Sequence, residues 1–146
     1  RARPTAQVLE AVAGAGLIII APSNPFVSVG TILALPGMLE ALLEARAPIV
    51  AVSPVVGGAA LRGPADKMLR SLGGTASAAG VVVHYRERYP GLVDTFVIDE
   101  ADATEAPALE ASGAAIELLP TVMRTYDDRQ ALAQAILEAH LPSQDR

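Results

Sequence analysis

The chain has 146 residues, 51% of them hydrophobic and 18% charged, so it is a core-forming globular chain rather than a disordered one. A formal net charge of −5 at pH 7 argues against nucleic acid or an anionic membrane as a partner. The absence of cysteine excludes disulfides, thiolate chemistry and Cys-ligated metals and fits a cytoplasmic protein, and no apolar run approaches the roughly 18 residues needed to span a bilayer.

Residues Pro4 to Ala13 read as a helix with Pro near its start, Val8, Leu9 and Val12 on one stripe, and Gly14 and Gly16 closing it. A doubly wound nucleotide-binding fold normally begins with a strand and a glycine-rich turn instead. Here the chain opens without Met, and neither G-x-G-x-x-G nor G-x-x-x-x-G-K-[ST] occurs. The expectation is that residues 1–146 form one domain, or the carboxyl-terminal part of a larger α/β domain whose first strands are absent.

Leu17–Ala21 has the length and β-branched content of a buried strand and ends in Pro22-Ser23-Asn24-Pro25. Val27–Leu35 and Met38–Ala45 follow with helical patterns, interrupted by Pro36-Gly37. Ile49–Val52 is a second strand, ending in Ser53-Pro54-Val55-Val56-Gly57-Gly58, which reads as a glycine-rich loop. Pro64–Leu72 is a short helix stopped by Gly73-Gly74. Ser77–Tyr89 carries mixed signals: Val81-Val82-Val83 favours a strand, whereas the small residues before it and Arg86-Glu87-Arg88 after it favour the helix expected here.

Thr95–Ile98 is the third strand, with Asp99-Glu100-Ala101-Asp102 opening a helix that runs to Ala111 and ends at Gly113. Ala115–Leu119 is the fourth strand, and Asp127 or Asp128 caps a last amphipathic helix carrying Leu132, Ile136 and Leu137. Strand–helix alternation at this spacing predicts a Rossmann-like, doubly wound α/β fold, with a mainly parallel sheet of about four strands and right-handed crossovers.

Loops at the carboxyl ends of parallel strands are where such folds bind ligands. Ser23 and Asn24, between two prolines, offer a hydroxyl, an amide and backbone N–H groups to phosphate, or serve as the cap of an ordinary strand-to-helix turn. Ser53 with Gly57 and Gly58 permits close backbone approach to a phosphate, or makes a flexible connector. Arg62 and Lys67 flank the start of the Pro64 helix, suited to a diphosphate or to solvent. Asp99, Glu100 and Asp102 can hold Mg²⁺ or a sugar hydroxyl, but acids in a first helical turn also simply complement its dipole, and Arg124 is equally ambiguous. His84 and His140 have no second His at ligand spacing, which argues against zinc.

Four segments in order resemble a known family. They are Ile18-Ile19-Ile20-Ala21-Pro22-Ser23-Asn24-Pro25 with Ala34-Leu35-Pro36-Gly37; Val52-Ser53-Pro54-Val55-Val56-Gly57-Gly58 with Gly63-Pro64-Ala65-Asp66-Lys67; Phe96-Val97-Ile98-Asp99-Glu100-Ala101-Asp102; and Met123-Arg124-Thr125. Together they resemble the 2-phospho-L-lactate transferases of deazaflavin coenzyme F-420 biosynthesis, including their phosphoenolpyruvate-using bacterial branch, over about Pro4 to Leu137.

The resemblance implies an enzyme that takes guanosine diphosphate-linked lactate or enolpyruvate and the deazaflavin precursor Fo. It implies transfer of the phospho-acid to the ribityl hydroxyl of Fo with release of GMP, in the presence of Mg²⁺ and usually as a homodimer. It also implies Ser23, Asn24, Ser53, Gly57 and Gly58, with Lys67, as the donor side, and a catalytic acid upstream of Arg1, so that residues 1–146 alone are expected to be inactive. The competing expectation is a non-catalytic nucleotide-sugar-binding regulator of the related fold family. That family tends to carry a Gly-Ser-type loop where this chain has Pro22-Ser23-Asn24-Pro25, which favours the transferase.

Overall fold

The structure, a computed structural model, describes residues 2–141. Four parallel strands form the main sheet in the order β1 (Ile18–Ile20), β2 (Ile49–Val52), β5 (Thr95–Asp99), β6 (Ile116–Leu119). A separate antiparallel hairpin, β3 (Val55–Val56) with β4 (Ala59–Ala60), follows β2 directly. All four residues of β2 are buried, as expected of a central parallel strand covered on both faces.

Alternation of side chains sends the sheet into two cores. On one face Ile49, Ala51, Phe96 and Ile98 pack with Val81, Val82 and Tyr85 of α5 (Ala78–Arg88), and the Tyr85 and Phe96 rings lie 6.2 Å apart. On the other, Val50, Val52 and Val97 meet Leu132 and Ile136 of α7 (Tyr126–His140), whose last residue bonds Glu117 of β6 at 2.8 Å. Helices on both faces of a parallel sheet are the doubly wound α/β arrangement the sequence predicts. Among the described residues no helix is long and apolar enough to cross a membrane.

The helix expected across Ser77–Tyr89 is present despite its three valines. Burial of Val81 and Val82 outweighs their weak strand preference, and Ser77 caps the helix by accepting the Gly80 amide at 3.0 Å. Gly80 is required there, because a Cβ would collide with the Thr75 carbonyl.

Four expectations need correction. The glycine loop after β2 is an ordered hairpin whose turn, Gly57-Gly58, has φ of 59° and 77°. Two successive positive φ values make the primed turn whose twist matches the flanking strands. The helix after β1 starts at Pro25, not Val27, as a π-helical turn (Pro25–Val29) leading into α2 (Gly30–Leu33), because Asn24 caps it. After β5 the chain first makes a 3₁₀ helix (Glu100–Glu105) and only then α6 (Ala106–Ala111). Finally, α7 is capped by Thr125 rather than Asp127 or Asp128. Asp128 completes a reciprocal capping box from the third helical position, accepting the Thr125 amide at 2.7 Å.

Candidate functional site

The two loops singled out in the sequence stand side by side, at the carboxyl ends of neighbouring parallel strands β1 and β2. In the first, the Asn24 side-chain oxygen accepts the Phe26 and Val27 amides at 2.9 and 3.1 Å, satisfying two donors that a helix start leaves unpaired. Its Nδ2 reaches Met68 Sδ at 3.5 Å, and Ser23 beside it is half-buried.

Met68 belongs to α4 (Ala65–Ser71), which also touches the second loop. Arg70 Nη2 donates to the Gly58 carbonyl at 3.3 Å while Nη1 bonds Asp66 at 3.1 Å, one turn back on the same helix. One short helix thus braces both loops. Lys67 lies on it one residue before Met68 and is exposed, as is Arg62.

Ser53 is buried, and its hydroxyl is engaged with Val55, donating to the carbonyl at 3.0 Å and accepting the amide at 3.2 Å. The Gly57 amide is held by Asp102, which approaches it with Oδ1 at 3.0 Å and Oδ2 at 3.2 Å. Asp102 is itself buried, and its carboxyl titrates above the ordinary value: burial raises it, the Gly57 bond opposes this, and Glu105 and Asp99 add to the rise. A carboxylate so close makes that amide a poor phosphate donor while Asp102 stays ionised and in place. The glycine turn is thus the end of an ordered hairpin with its Gly57 amide already engaged.

Asp99, at the end of β5, serves as a tie. Its Oδ2 accepts the Thr121 amide and hydroxyl at 2.7 and 2.9 Å, and its Oδ1 accepts the Ala101 amide at 3.0 Å. Burial alone would raise this carboxyl, but bonds from Ala101, Thr121 and Val122 outweigh it and hold it below the usual carboxylate value. Glu100 and Arg124 are exposed. His140 pairs with Glu117 on the far face, and His84 lies on α5 against the Phe26 ring, with centroids 4.4 Å apart. Among the described residues no three His, Cys, Asp or Glu side chains converge to hold a metal ion.

The structure therefore joins Asn24 and Gly58 to α4, which carries Lys67, while Ser23 and Gly57 are their chain neighbours and Ser53 is buried beneath the second loop as a turn-former. The sequence reading missed Asp102 as the partner of Gly57 and Arg70 as the partner of Gly58. A glycine pair between the apolar pairs Val55-Val56 and Ala59-Ala60 is the hairpin signal that the sequence does carry. No local pattern announces Asp102, which is 45 residues away.

Comparison with known proteins gives four findings. The family model "2-phospho-L-lactate transferase CofD" matches residues 1–135. A phosphoenolpyruvate transferase of Streptomyces griseus is 44% identical over 138 residues, 94% of this chain and 42% of that protein. A 2-phospho-L-lactate transferase of Methanocaldococcus jannaschii is 36% identical over 137 residues, 94% of this chain and 41% of that protein. The chain thus spans about two-fifths of the length of these curated relatives. Among solved structures, a member of the UPF0052 family from Bacillus halodurans superposes with a TM-score of 0.63 at 18% identity, covering 92% of this chain and 46% of that one; this likeness shows the fold.

Proposed function

The chain belongs to the 2-phospho-L-lactate transferase (CofD) family, and on that premise we propose that it supplies donor-side walls of a transferase of coenzyme F-420 biosynthesis. In this reading a 2-phospholactyl or phosphoenolpyruvyl group passes from its guanosine diphosphate donor to the ribityl hydroxyl of Fo, and GMP leaves. The observation that supports the reading is α4, which braces two loops at the carboxyl ends of adjacent strands, where doubly wound folds bind ligands.

Phosphoryl-type transfer demands in-line placement of the attacking hydroxyl and neutralisation of charge on the diphosphate oxygens. Ser23, the backbone around Asn24 and the exposed Lys67 serve the second demand. The Gly57-Gly58 turn, fixed by Asp102 and Arg70, keeps the donor from spreading past the end of β2.

Mg²⁺ does not fit a site built from the described residues alone. No ligand cluster forms, and Asp99 and Asp102 are both committed to backbone amides. The metal enters the proposal only as a companion of the donor diphosphate. A homodimer and a cytoplasmic location belong to the same proposal.

The test is an assay of the full-length protein with Fo and the guanylyl donor, following GMP and the phospho-acid product together. Stoichiometric appearance of both is the expected result. No GMP, together with tight binding of a UDP-sugar, would replace the transferase with the nucleotide-sugar-binding regulator.

A further inference from the structure

A hollow of about 240 Å³ opens at the amino-terminal end of the sheet, the end opposite the α4-braced loops. It is lined by Arg86 near the end of α5, Asp94 in the loop before β5, buried Phe96 of β5, and the turn Gly113–Ala115 that leads into β6. Nothing in the transferase reading uses this end of the molecule. The volume falls below the roughly 300–1,000 Å³ of pockets for drug-sized ligands, so it is too small for a nucleotide and selects a smaller molecule.

Two opposite charges face the hollow, each fixed by its own hydrogen bonds. Arg86 donates from Nη1 to the Ser112 hydroxyl at 2.7 Å and from Nη2 to the Ser112 carbonyl at 2.9 Å, and its fork carries further N–H groups beyond these two. Asp94 exchanges bonds with Ile49, the first residue of β2. Its Oδ2 accepts the Ile49 amide at 2.7 Å, and its own amide donates to the Ile49 carbonyl at 2.9 Å. Both residues line the same hollow, yet among the described residues neither belongs to an ion pair. Gly113 keeps the space beside the guanidinium clear: its φ is 88°, and a Cβ there would stand 3.7 Å from Arg86 Nη2.

This arrangement sorts occupants by charge. A simple anion drawn to Arg86 meets the Asp94 carboxylate, and a simple cation drawn to Asp94 meets the guanidinium, so the second charge offsets what the first contributes. A molecule carrying a carboxylate and an ammonium group together meets a complement at both, with charge-assisted hydrogen bonds to each. A polypeptide carries those groups at its two separate ends, so the small molecule that matches is a free amino acid.

We propose that this hollow binds a small free amino acid, its carboxylate on Arg86 and its ammonium group on Asp94. The occupant joins α5 and the turn after α6 to the start of β2, and it leaves the loops at the other end of the sheet open to their own ligands. Amino-acid binding here stands or falls independently of the transferase reading.

The experiment follows thermal melting and calorimetric titration of the full-length protein with glycine and each of the common L-amino acids in turn, at up to about 10 mM. At least one is expected to raise the melting temperature and to bind with a Kd of about 1 mM or tighter. The matching acid without its amino group and the matching amine without its carboxyl group (propionate and ethylamine in the case of alanine) should each bind at least about tenfold more weakly. Two variants locate the site. Asp94→Asn keeps an acceptor for the Ile49 amide and removes the charge, and Ala115→Trp fills the hollow from an exposed position. Each is expected to weaken the amino acid at least about tenfold, with melting of the unliganded variant as the check that it folds, and such a loss in either folded variant supports the site. No binding by any amino acid, or an acid without its amino group that binds as tightly as the amino acid, would overturn the proposal. Affinity within about twofold of the unaltered protein in both variants would overturn it as well.

Discussion

Asp102 and Gly57, 45 residues apart in the chain, are joined where both carboxylate oxygens converge on a single amide at 3.0 and 3.2 Å. The contact fastens the β3–β4 hairpin to the segment that follows β5 across the carboxyl-terminal edge of the sheet. It is made by a group whose ionised form is disfavoured by its burial, so its value to the fold lies in accepting the amide rather than in carrying charge.

Replacing Asp102 by Ala leaves the Gly57 N–H without its acceptor and is expected to cost about 1–3 kcal/mol of stability. Asp102→Asn keeps an acceptor and removes the buried charge, so its loss should be clearly smaller. Urea denaturation of the two variants beside the unaltered protein measures the order; Asn costing as much as Ala would mean that the charge, not the acceptor, holds the hairpin.

The two neighbouring carboxyls predict opposite limbs in an acid titration. Asp102 titrates above 3.8 when folded, so protonation relieves a penalty and stability rises as pH falls through its folded value toward 3.8. Asp99 titrates below 3.8 when folded, so its contribution is present above that value and is lost as pH falls through its folded value. Asp128, in the capping box, acts in the same direction as Asp99. Melting temperatures recorded from roughly pH 2 to 7 should show the rise vanish in Asp102→Asn and the acid loss shrink in Asp99→Asn. A titration curve left unaltered by both substitutions would contradict the assignment.

Gly57→Val and Ser53→Ala should each weaken GDP binding more than Fo binding. A β-branched residue at φ 59° is strained by about 1–2 kcal/mol and distorts the turn. Loss of the Ser53 hydroxyl leaves the Val55 amide without its partner beneath the same turn. Calorimetric titration with each ligand gives the comparison, and unchanged GDP affinity in both variants would remove this hairpin from the donor side.

Gly80→Ala should destabilise the fold although it introduces a better helix former. The new methyl meets the Thr75 carbonyl, a backbone atom that cannot step aside alone, and overpacking of this kind costs about 1–3 kcal/mol. A melting temperature equal to or above that of the unaltered protein would show that the Thr75 turn can relax.

The parallel sheet was legible because its strands are short apolar runs bounded by Gly, Pro and acidic residues. Ile49–Val52 is observed with the same ends as read, and Leu17–Ala21 and Ala115–Leu119 differ only at their termini. Helix α5 was legible because the small residues before the valines and Arg86-Glu87-Arg88 after them outweigh a weak local strand preference, and the Ser77 cap and one buried face then hold it. A glycine pair signals a tight turn as well as a ligand loop, and only the apolar pairs on either side, Val55-Val56 and Ala59-Ala60, mark it as a hairpin. The ties made by Asp102 and Arg70 were not legible, since pairing between distant segments depends on how loops meet above the sheet and leaves no periodic trace in sequence. The α7 cap went to Thr125 because reciprocal bonding with Asp128 satisfies more of the helix start than either aspartate could alone.

The seven-residue helix α4 has a mechanical consequence. Met68 and Arg70, two positions apart, each hold one loop, so a tilt that withdraws the sulfur from Asn24 also draws the guanidinium away from Gly58. Motion of α4 is thereby felt at both loops. A ligand that quiets one of them lowers the entropic cost of ordering the other, and amide exchange in both should slow together when either is occupied.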